Sequence, residues 1–144
     1  MSSASDYLEA ALLNHYRGTQ LPLPSGFFIA LHTSDPTDAA TTGTEVQKVS
    51  AWPAYSRQTV GTPLSSAWTA ASDEGGGGKQ IANANTINFP ANDGASPVVV
   101  THFSVWDAVT GGNMWNSAPL TNPKTIDPTD IFSAVPGALR LIAR

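Results

Sequence analysis

The hydrophobic pattern is densest in residues 98–107, which read Val-Val-Val-Thr-His-Phe-Ser-Val-Trp-Asp. This run is rich in β-branched and aromatic residues, which favour strands. Apolar residues occupy both alternations, as is typical of a strand at the centre of a sheet. We therefore expect a central strand that contains His102, Phe103 and Trp106, with Asp107 at its end before a glycine-rich turn.

Shorter apolar alternations, separated by proline and glycine, predict further strands on both sides of this run. They lie at residues 27–33, 55–60, 67–71, 85–89, 113–118, 125–127, 131–134 and 138–142. Residues 39–53 are mostly polar, and we expect a long excursion there with one short pairing near residues 45–49. The four glycines within residues 73–79 predict a flexible loop.

A helix is predicted near the amino terminus, over residues 6–17. Asp6 stands at a capping position with Glu9 three residues later, and a glycine follows the last residue. Leu8, Leu12 and Tyr16 recur at helical spacing and form one apolar stripe. A helix this short is marginal in water, so we expect that stripe to pack against the structure that lies beneath the helix and to gain most of its stability there.

Many short strands, one helix and no helical crossovers predict a mainly β protein. The architecture that fits is an antiparallel β-sandwich or a jelly-roll-like barrel with one N-terminal α-helix. The length of 144 residues suits a single domain over residues 1–144, with residues 1–20 as an N-terminal helical arm.

Composition narrows the classes of function. The chain has no cysteine, which excludes disulfides and thiolate metal sites. Its formal charge of −4 and its few scattered cations argue against nucleic-acid binding. No apolar run is long enough for a membrane span, and the acidic start is unlike a secretory leader. We expect a soluble protein without nucleic-acid or membrane partners.

The histidines are the first candidates for chemistry. His32 and His102, with the nearby Asp35 and Asp107, are conceivable ligands of a metal, although their spacing matches no zinc motif. Ser104 with His102 and Asp107 supplies the residue types of a nucleophilic triad, but side chains on one face of one strand point the same way. Histidines that satisfy hydrogen bonds in half-polar core positions are the favoured interpretation. We therefore expect no catalytic residues, no metal and no cofactor.

Two other features have both a structural and a functional interpretation. Lys79 follows a glycine run, but Gln80 replaces the hydroxyl residue that a phosphate-binding loop needs. Tryptophans suit saccharide stacking when they are exposed, yet Trp106 and Trp115 are expected in the core. Trp52 precedes a proline in a polar stretch, and we expect it to be an interface anchor.

Several segments, taken together, carry a resemblance to a known family. They are Leu31-His32-Thr33-Ser34-Asp35-Pro36-Thr37, Gly43-Thr44-Glu45-Val46, Tyr55-Ser56-Arg57-Gln58, Ile87-Asn88-Phe89-Pro90 and Val100-Thr101-His102-Phe103-Ser104-Val105-Trp106-Asp107-Ala108 with Gly111-Gly112-Asn113. In order and spacing the chain resembles a family of small tailed-bacteriophage virion structural proteins, often labelled tail-fibre-like.

The resemblance implies a non-enzymatic virion component, assembled in the host cytoplasm, with other virion proteins as its partners and a homo-oligomer as its expected state. We expect a capsid decoration or cement protein on the outside of the head, in contact with the major capsid protein. The alternative is a tail or tail-fibre attachment module that binds a receptor or a carbohydrate. In either role the expected contact residues are Leu8, Leu12, Tyr16 and Trp52, and the strand around His102 supports them.

Overall fold

The described strands of the protein pair antiparallel, and a helix lies near the amino terminus. A computed structural model describes residues 3–40, 45–46 and 51–144. Its elements, in chain order, are β1 (Ser3–Ala4), α1 (Asp6–Tyr16), β2 (Phe28–His32), β3 (Gln58–Thr59), α2 (Leu64–Ala67), β4 (Ser72–Asp73), β5 (Lys79–Ala82), β6 (Ile87–Asn88), β7 (Val98–Trp106), β8 (Met114–Ile126), β9 (Ser133–Ala134) and β10 (Arg140–Ala143).

The described strands form three open sheets, and none of these sheets closes into a barrel. The largest has the order β1-β8-β7-β2-β3, the second β10-β5-β4, and the third pairs β6 with β9. The prediction of a mainly β, antiparallel, sandwich-like fold with an N-terminal helix is confirmed. A jelly-roll connectivity is not shown.

The predicted central strand is β7, which lies between β8 and β2 in the five-stranded sheet. Its apolar residues do not cover two separate faces. The main core takes Val98 and Val100 from one alternation but Phe103 and Val105 from the other. The pairing of β7 with β8 shifts register between Val100 and His102, and a local insertion exchanges the faces of a strand.

Other segments differ from their prediction because local turns compete with strand pairing. Residues 67–71 do not form a strand: a single helical turn, α2, ends at Ala67, and Trp68 makes one isolated bridge with Asn83. The glycine-rich residues 73–79 connect β4 to β5 as a hairpin, where positive φ angles at Gly75 and Gly77 allow the reversal. Of the short pairing expected near residues 45–49, Glu45 makes one isolated bridge with His32, and residues 47–49 lie outside the described residues.

The predicted helix is confirmed at Asp6–Tyr16, but its capping residue is Ser5, not Asp6. The Ser5 hydroxyl accepts a hydrogen bond from the Leu8 amide at 3.2 Å and donates to the Met114 carbonyl. β1, directly before the cap, pairs with Asn116 and Ser117 of β8. These contacts fix the start of the helix to the edge of the large sheet.

Candidate functional site

The outer face of α1 is the largest concentration of exposed apolar side chains that the described residues show. Leu12 is 45% exposed, Leu13 69% and Tyr16 91%, and Leu23, just beyond the helix, is also exposed. No residue of α1 is fully buried. Contiguous apolar surface of this kind marks interaction sites more often than isolated exposed residues do.

Helical geometry separates the two faces of α1. Tyr7, Leu8, Ala11 and Asn14 are half-buried and turn towards the protein. At 100° per residue, Leu12, Leu13 and Tyr16 fall on the opposite side. We call Leu12, Leu13 and Tyr16 the arm surface. Because the sheet covers only the inner face, the apolar side chains of the arm surface remain available to another molecule.

A second cluster surrounds Arg57, which is buried although it is charged. Its Nε donates to Glu45 Oε1 at 2.9 Å and its Nη2 to Glu45 Oε2 at 2.8 Å, a two-point ion pair. The Tyr55 hydroxyl donates to the same carboxylate at 3.0 Å and accepts from the Leu31 amide. The guanidinium carbon also lies 3.9 Å from the centre of the Trp106 ring, close enough for a cation–π contact.

Arg57 uses its remaining donor on the connection between β7 and β8. Its Nη1 donates to the carbonyls of Ala108 and Gly111, at 3.0 and 2.8 Å. From the other side, Asp107 Oδ1 accepts from the Asn113 amide at 2.7 Å. These contacts tie residues 108–112, which we call the clamped loop, to Arg57 on one side and to Asp107 on the other.

The clamped loop has an exposed tip. Val109 is 47% exposed. A depression of about 420 Å³ lies beside it, lined by Glu45, Val46, Tyr55, Ser56, Arg57, Val109, Thr110 and Gly111. A loop that is already held by hydrogen bonds loses less conformational entropy when it binds a ligand.

The hydrogen bonds at this connection also change the pKa of Asp107. Partial burial opposes ionisation, but hydrogen bonds from Asn113 and from the Trp115 indole hold the pKa of the Asp107 carboxyl below its usual range. The carboxylate is therefore charged at neutral pH, as an acceptor of several N–H groups should be.

His32 forms a buried pair with Ser104, and the two side chains do not line an open site. His32 Nε2 lies 2.6 Å from Ser104 Oγ, which also accepts from the Trp106 indole at 2.7 Å. Both His32 and Ser104 are buried, and among the described residues His32 Nδ1 has no hydrogen-bond partner. A serine–histidine pair that is closed to solvent and has no orienting carboxylate offers no place for a substrate.

His102, the base of the triad weighed from the sequence, makes a different contact. Its Nδ1 lies 2.8 Å from Thr101 Oγ1, and its strand pairs it with His32 and Pro119. No group of three or more histidine or carboxylate side chains in the described part of the chain could hold a metal ion. The described helices are also too short and too polar to cross a membrane.

One family description, "Podophage GP4 fiber I protein gp80", matches residues 3–142 of the chain. The chain belongs to this podophage fibre family. The resemblance inferred from the sequence is therefore confirmed, and the chain is a tail-fibre-like virion component. No curated protein matches it.

In this fibre-family chain, the expected contact residues are divided between surface and core. Leu12 and Tyr16 belong to the arm surface, and Leu8 is half-buried at its inner border. The expectation for Trp52 is wrong: its side chain has no exposed surface. It packs edge-on against Tyr55 at 5.8 Å, and its indole N–H donates to the Ala91 carbonyl at 3.0 Å.

The strand residues named from the sequence lie where that prediction put them. His102, Phe103 and Trp106 are in β7, and Asp107 follows directly. Their roles differ, however, because Trp106 is a support of Arg57. The sequence reasoning missed the Arg57–Glu45 pair. Arg57 stands out as the lone arginine of the alternating segment 55–60. No sequence pattern, however, links it to Glu45, twelve positions earlier.

Proposed function

We propose that this chain is a structural module of a podophage tail fibre, and that its arm surface is where it assembles with other virion proteins. The fibre description of the family supports a tail location better than capsid decoration. The observation that carries the assembly surface is a helix whose outer face bears exposed Leu12, Leu13 and Tyr16. Burying such side chains in a partner contributes roughly 25 cal/mol for each Å² removed from water.

Particles assembled with altered chains test the assembly surface. A Leu12→Glu, Tyr16→Glu variant places two charges on it, and we expect few or no copies of the chain per particle by quantitative mass spectrometry. Val135→Glu is the matched control, because Val135 is also exposed but lies far along the chain, near β9. Normal incorporation of the arm variant would overturn the assignment.

Imaging of the particle tests the location independently. Low-resolution density for the chain on the tail supports a fibre module, and density spread over the outside of the head returns the function to capsid decoration. Labelled antibody fragments that bind the chain identify its density in the image. The test needs no altered residue, so a folding defect cannot confuse it.

A second candidate function, receptor or carbohydrate binding, is favoured by the clamped loop. Val109 and Thr110 stand at the edge of the depression of about 420 Å³, held there by Arg57. We expect fluorescently labelled protein to bind host cells and Val109→Asp to reduce that binding. The exposed site Ile131, changed to Asp, serves as the control. Equal binding by both variants would remove the loop from consideration.

A further inference from the structure

We propose that the groove between β8 and residues 131–142 binds an extended acidic peptide segment of a partner protein, which adds as a short strand to the edge of β8. This inference goes beyond the proposed function, because the groove lies on the sheets and not on α1. Three features of the groove carry it: unpaired backbone in β8, two cations without an ion pair, and a lining that contains no acidic side chain.

Two adjoining depressions form the groove. One of about 360 Å³ and one of about 460 Å³ share Leu120, Thr121 and Ala138 in their walls, so they are continuous, and we call them together the β8 groove. A concave surface over an apolar floor removes the side chains of a ligand from water. The floor here belongs to the core and consists of Phe103, Ala118, Ile126, Phe132, Ala134 and Leu139.

Part of the β8 backbone along the groove is left out of the sheet. The pairing with β7 passes from Lys124 directly to Pro119, so one β7 residue, Thr101, faces the four residues 120–123. The extra residues of such a bulge are unpaired. Among the described residues, β1 covers the other edge of β8 only at residues 116 and 117. Backbone groups outside a ladder pair readily with the backbone of an extended peptide.

Two prolines limit the segment that can pair. Proline has no backbone N–H, so the donors between Pro119 and Pro123 are those of Leu120, Thr121 and Asn122. All three of these residues line the groove. A donor segment with proline at each end accepts one short strand and resists the long edge-to-edge association that open edges allow. We therefore expect a short peptide and a weak affinity.

Two cations of the groove have no ion-pair partner. Lys124 lines the smaller depression and Arg140 the larger one, and both are exposed. Among the described residues, neither lies within 4 Å of a carboxylate. The Arg140 Nε donates to the Gly137 carbonyl at 3.5 Å, which is a long hydrogen bond. Of the other described lysines and arginines, Arg17 alone also lacks an ion pair, so the groove holds two of the three.

The lining contains no acidic side chain. The structure describes all 11 Asp and Glu residues of the chain, and none of them lines the β8 groove. The groove is therefore a positive surface on a protein of net charge −4. An acidic ligand is attracted to this surface and repelled by the rest of the protein, so charge selects both the ligand and its position.

An acidic peptide fits the groove better than an acidic saccharide. Saccharides stack on exposed aromatic rings, but the two aromatic residues of the lining, Phe103 and Phe132, are only 2% and 6% exposed. A peptide also supplies the backbone N–H and C=O groups that residues 120–122 require, and its alternate side chains reach the apolar floor.

Fluorescence anisotropy with labelled peptides tests the class of ligand. The probes have about eight residues, a typical strand length, and alternate either Glu with Val or Lys with Val. We expect saturable binding of the Glu probe that weakens as salt is added, and binding of the Lys probe that is about tenfold weaker or less. Equal binding of the two probes, or binding of neither, would overturn the proposal. Binding of an oligogalacturonate but not of the Glu probe would replace the peptide by a saccharide and overturn it as well.

Charge reversal tests whether the probe occupies the groove. Lys124→Glu and Arg140→Glu should each weaken binding of the Glu probe about tenfold. Arg17→Glu makes the same change of charge at an exposed cation outside the groove and should leave binding unchanged. Lys124→Gln and Arg140→Gln, whose side chains are neutral and polar, should weaken binding in the same direction but less, and circular dichroism must match the parent for every variant. If Arg17→Glu weakens binding as much as the groove variants do, the probe responds only to net charge and the assignment to the groove fails.

Backbone methylation of the probe tests strand addition. In an extended peptide, alternate N–H groups point to opposite edges, so methylating the nitrogens of all Glu residues or of all Val residues blocks one edge and leaves the charge unchanged. We expect one methylated probe to bind about tenfold more weakly and the other to bind like the parent probe, because only one edge of the peptide faces β8. If both methylated probes bind as tightly as the parent, pairing with β8 is overturned.

Discussion

Replacing His32 by glutamine tests whether the buried polar cluster makes this protein sensitive to acid. Burial lowers the pKa of the His32 imidazole from 6.5 to about 4. The charged groups around it act in both directions, and desolvation outweighs them; they are Glu45, Arg57, His102 and Asp35. The imidazole is therefore neutral at pH 7 in the folded protein, with Nε2 against Ser104.

The direction of the change in stability with pH follows from the linkage between proton binding and folding. The folded pKa lies below the unfolded value, so between about pH 6.5 and pH 4 the unfolded chain binds a proton at His32 that the folded chain does not. Stability from this group is complete above pH 6.5 and is lost as the pH falls to about 4. Each pKa unit corresponds to about 1.4 kcal/mol, so the loss is about 3 kcal/mol across this window.

Urea unfolding of the parent and of His32→Gln, at pH 7 and pH 4.5, measures this loss. We expect the parent to lose about 2–3 kcal/mol more than the variant, since glutamine does not titrate. His15→Gln, the same replacement at an exposed histidine, is the control for the substitution itself. If His32→Gln loses as much free energy of unfolding as the parent, the reasoning from His32 burial is refuted.

Three further predictions concern stability measured by urea unfolding at pH 7. Arg57→Met should cost about 3 kcal/mol, because it removes the guanidinium donors of the buried ion pair with Glu45 and of two loop carbonyls, whereas Lys79→Met, in an exposed ion pair, should cost less than about 0.5 kcal/mol. Gly112→Ala should cost more than Gly111→Ala; both have positive φ, but only a Cβ at Gly112 meets neighbouring atoms. Ser5→Ala should cost about 1–2 kcal/mol through loss of the helix cap.

The central strand shows which features could be predicted from the sequence and which could not. Residues 98–107 predicted β7, its central position and the hairpin to β8, because strand propensity and turn chemistry are local. The exchange of core face between Val100 and Phe103 depends on a shift of register with β8. That shift is a property of two paired strands, so no inspection of one strand could reveal it.

Trp52 and Arg57 were beyond sequence reasoning for a related reason. A tryptophan in a polar stretch looks peripheral, but the chain brings Tyr55 and Phe89 to its ring and closes the core around it. Arg57 looks like one polar position of an exposed strand, yet Glu45 and Trp106 enclose it. In both cases burial is decided by residues distant in sequence, which composition and spacing do not reveal.

The exposure of the arm surface, in contrast, follows from the apolar pattern of α1 and from a core that takes no side chain from this helix. The core cluster of the described residues contains no side chain from α1, so the sheets complete their core without the helix. An isolated eleven-residue helix is marginal in water. Its attachments on the inner side include the Ser5 cap, a 3.0 Å hydrogen bond from the Asp6 amide to the Asp38 carbonyl and an edge contact of Tyr7 with Trp115 at 5.9 Å. Under the proposed assembly role, a helix that adds no side chain to the core and carries two leucines and a tyrosine outward gains further stability when a partner buries them.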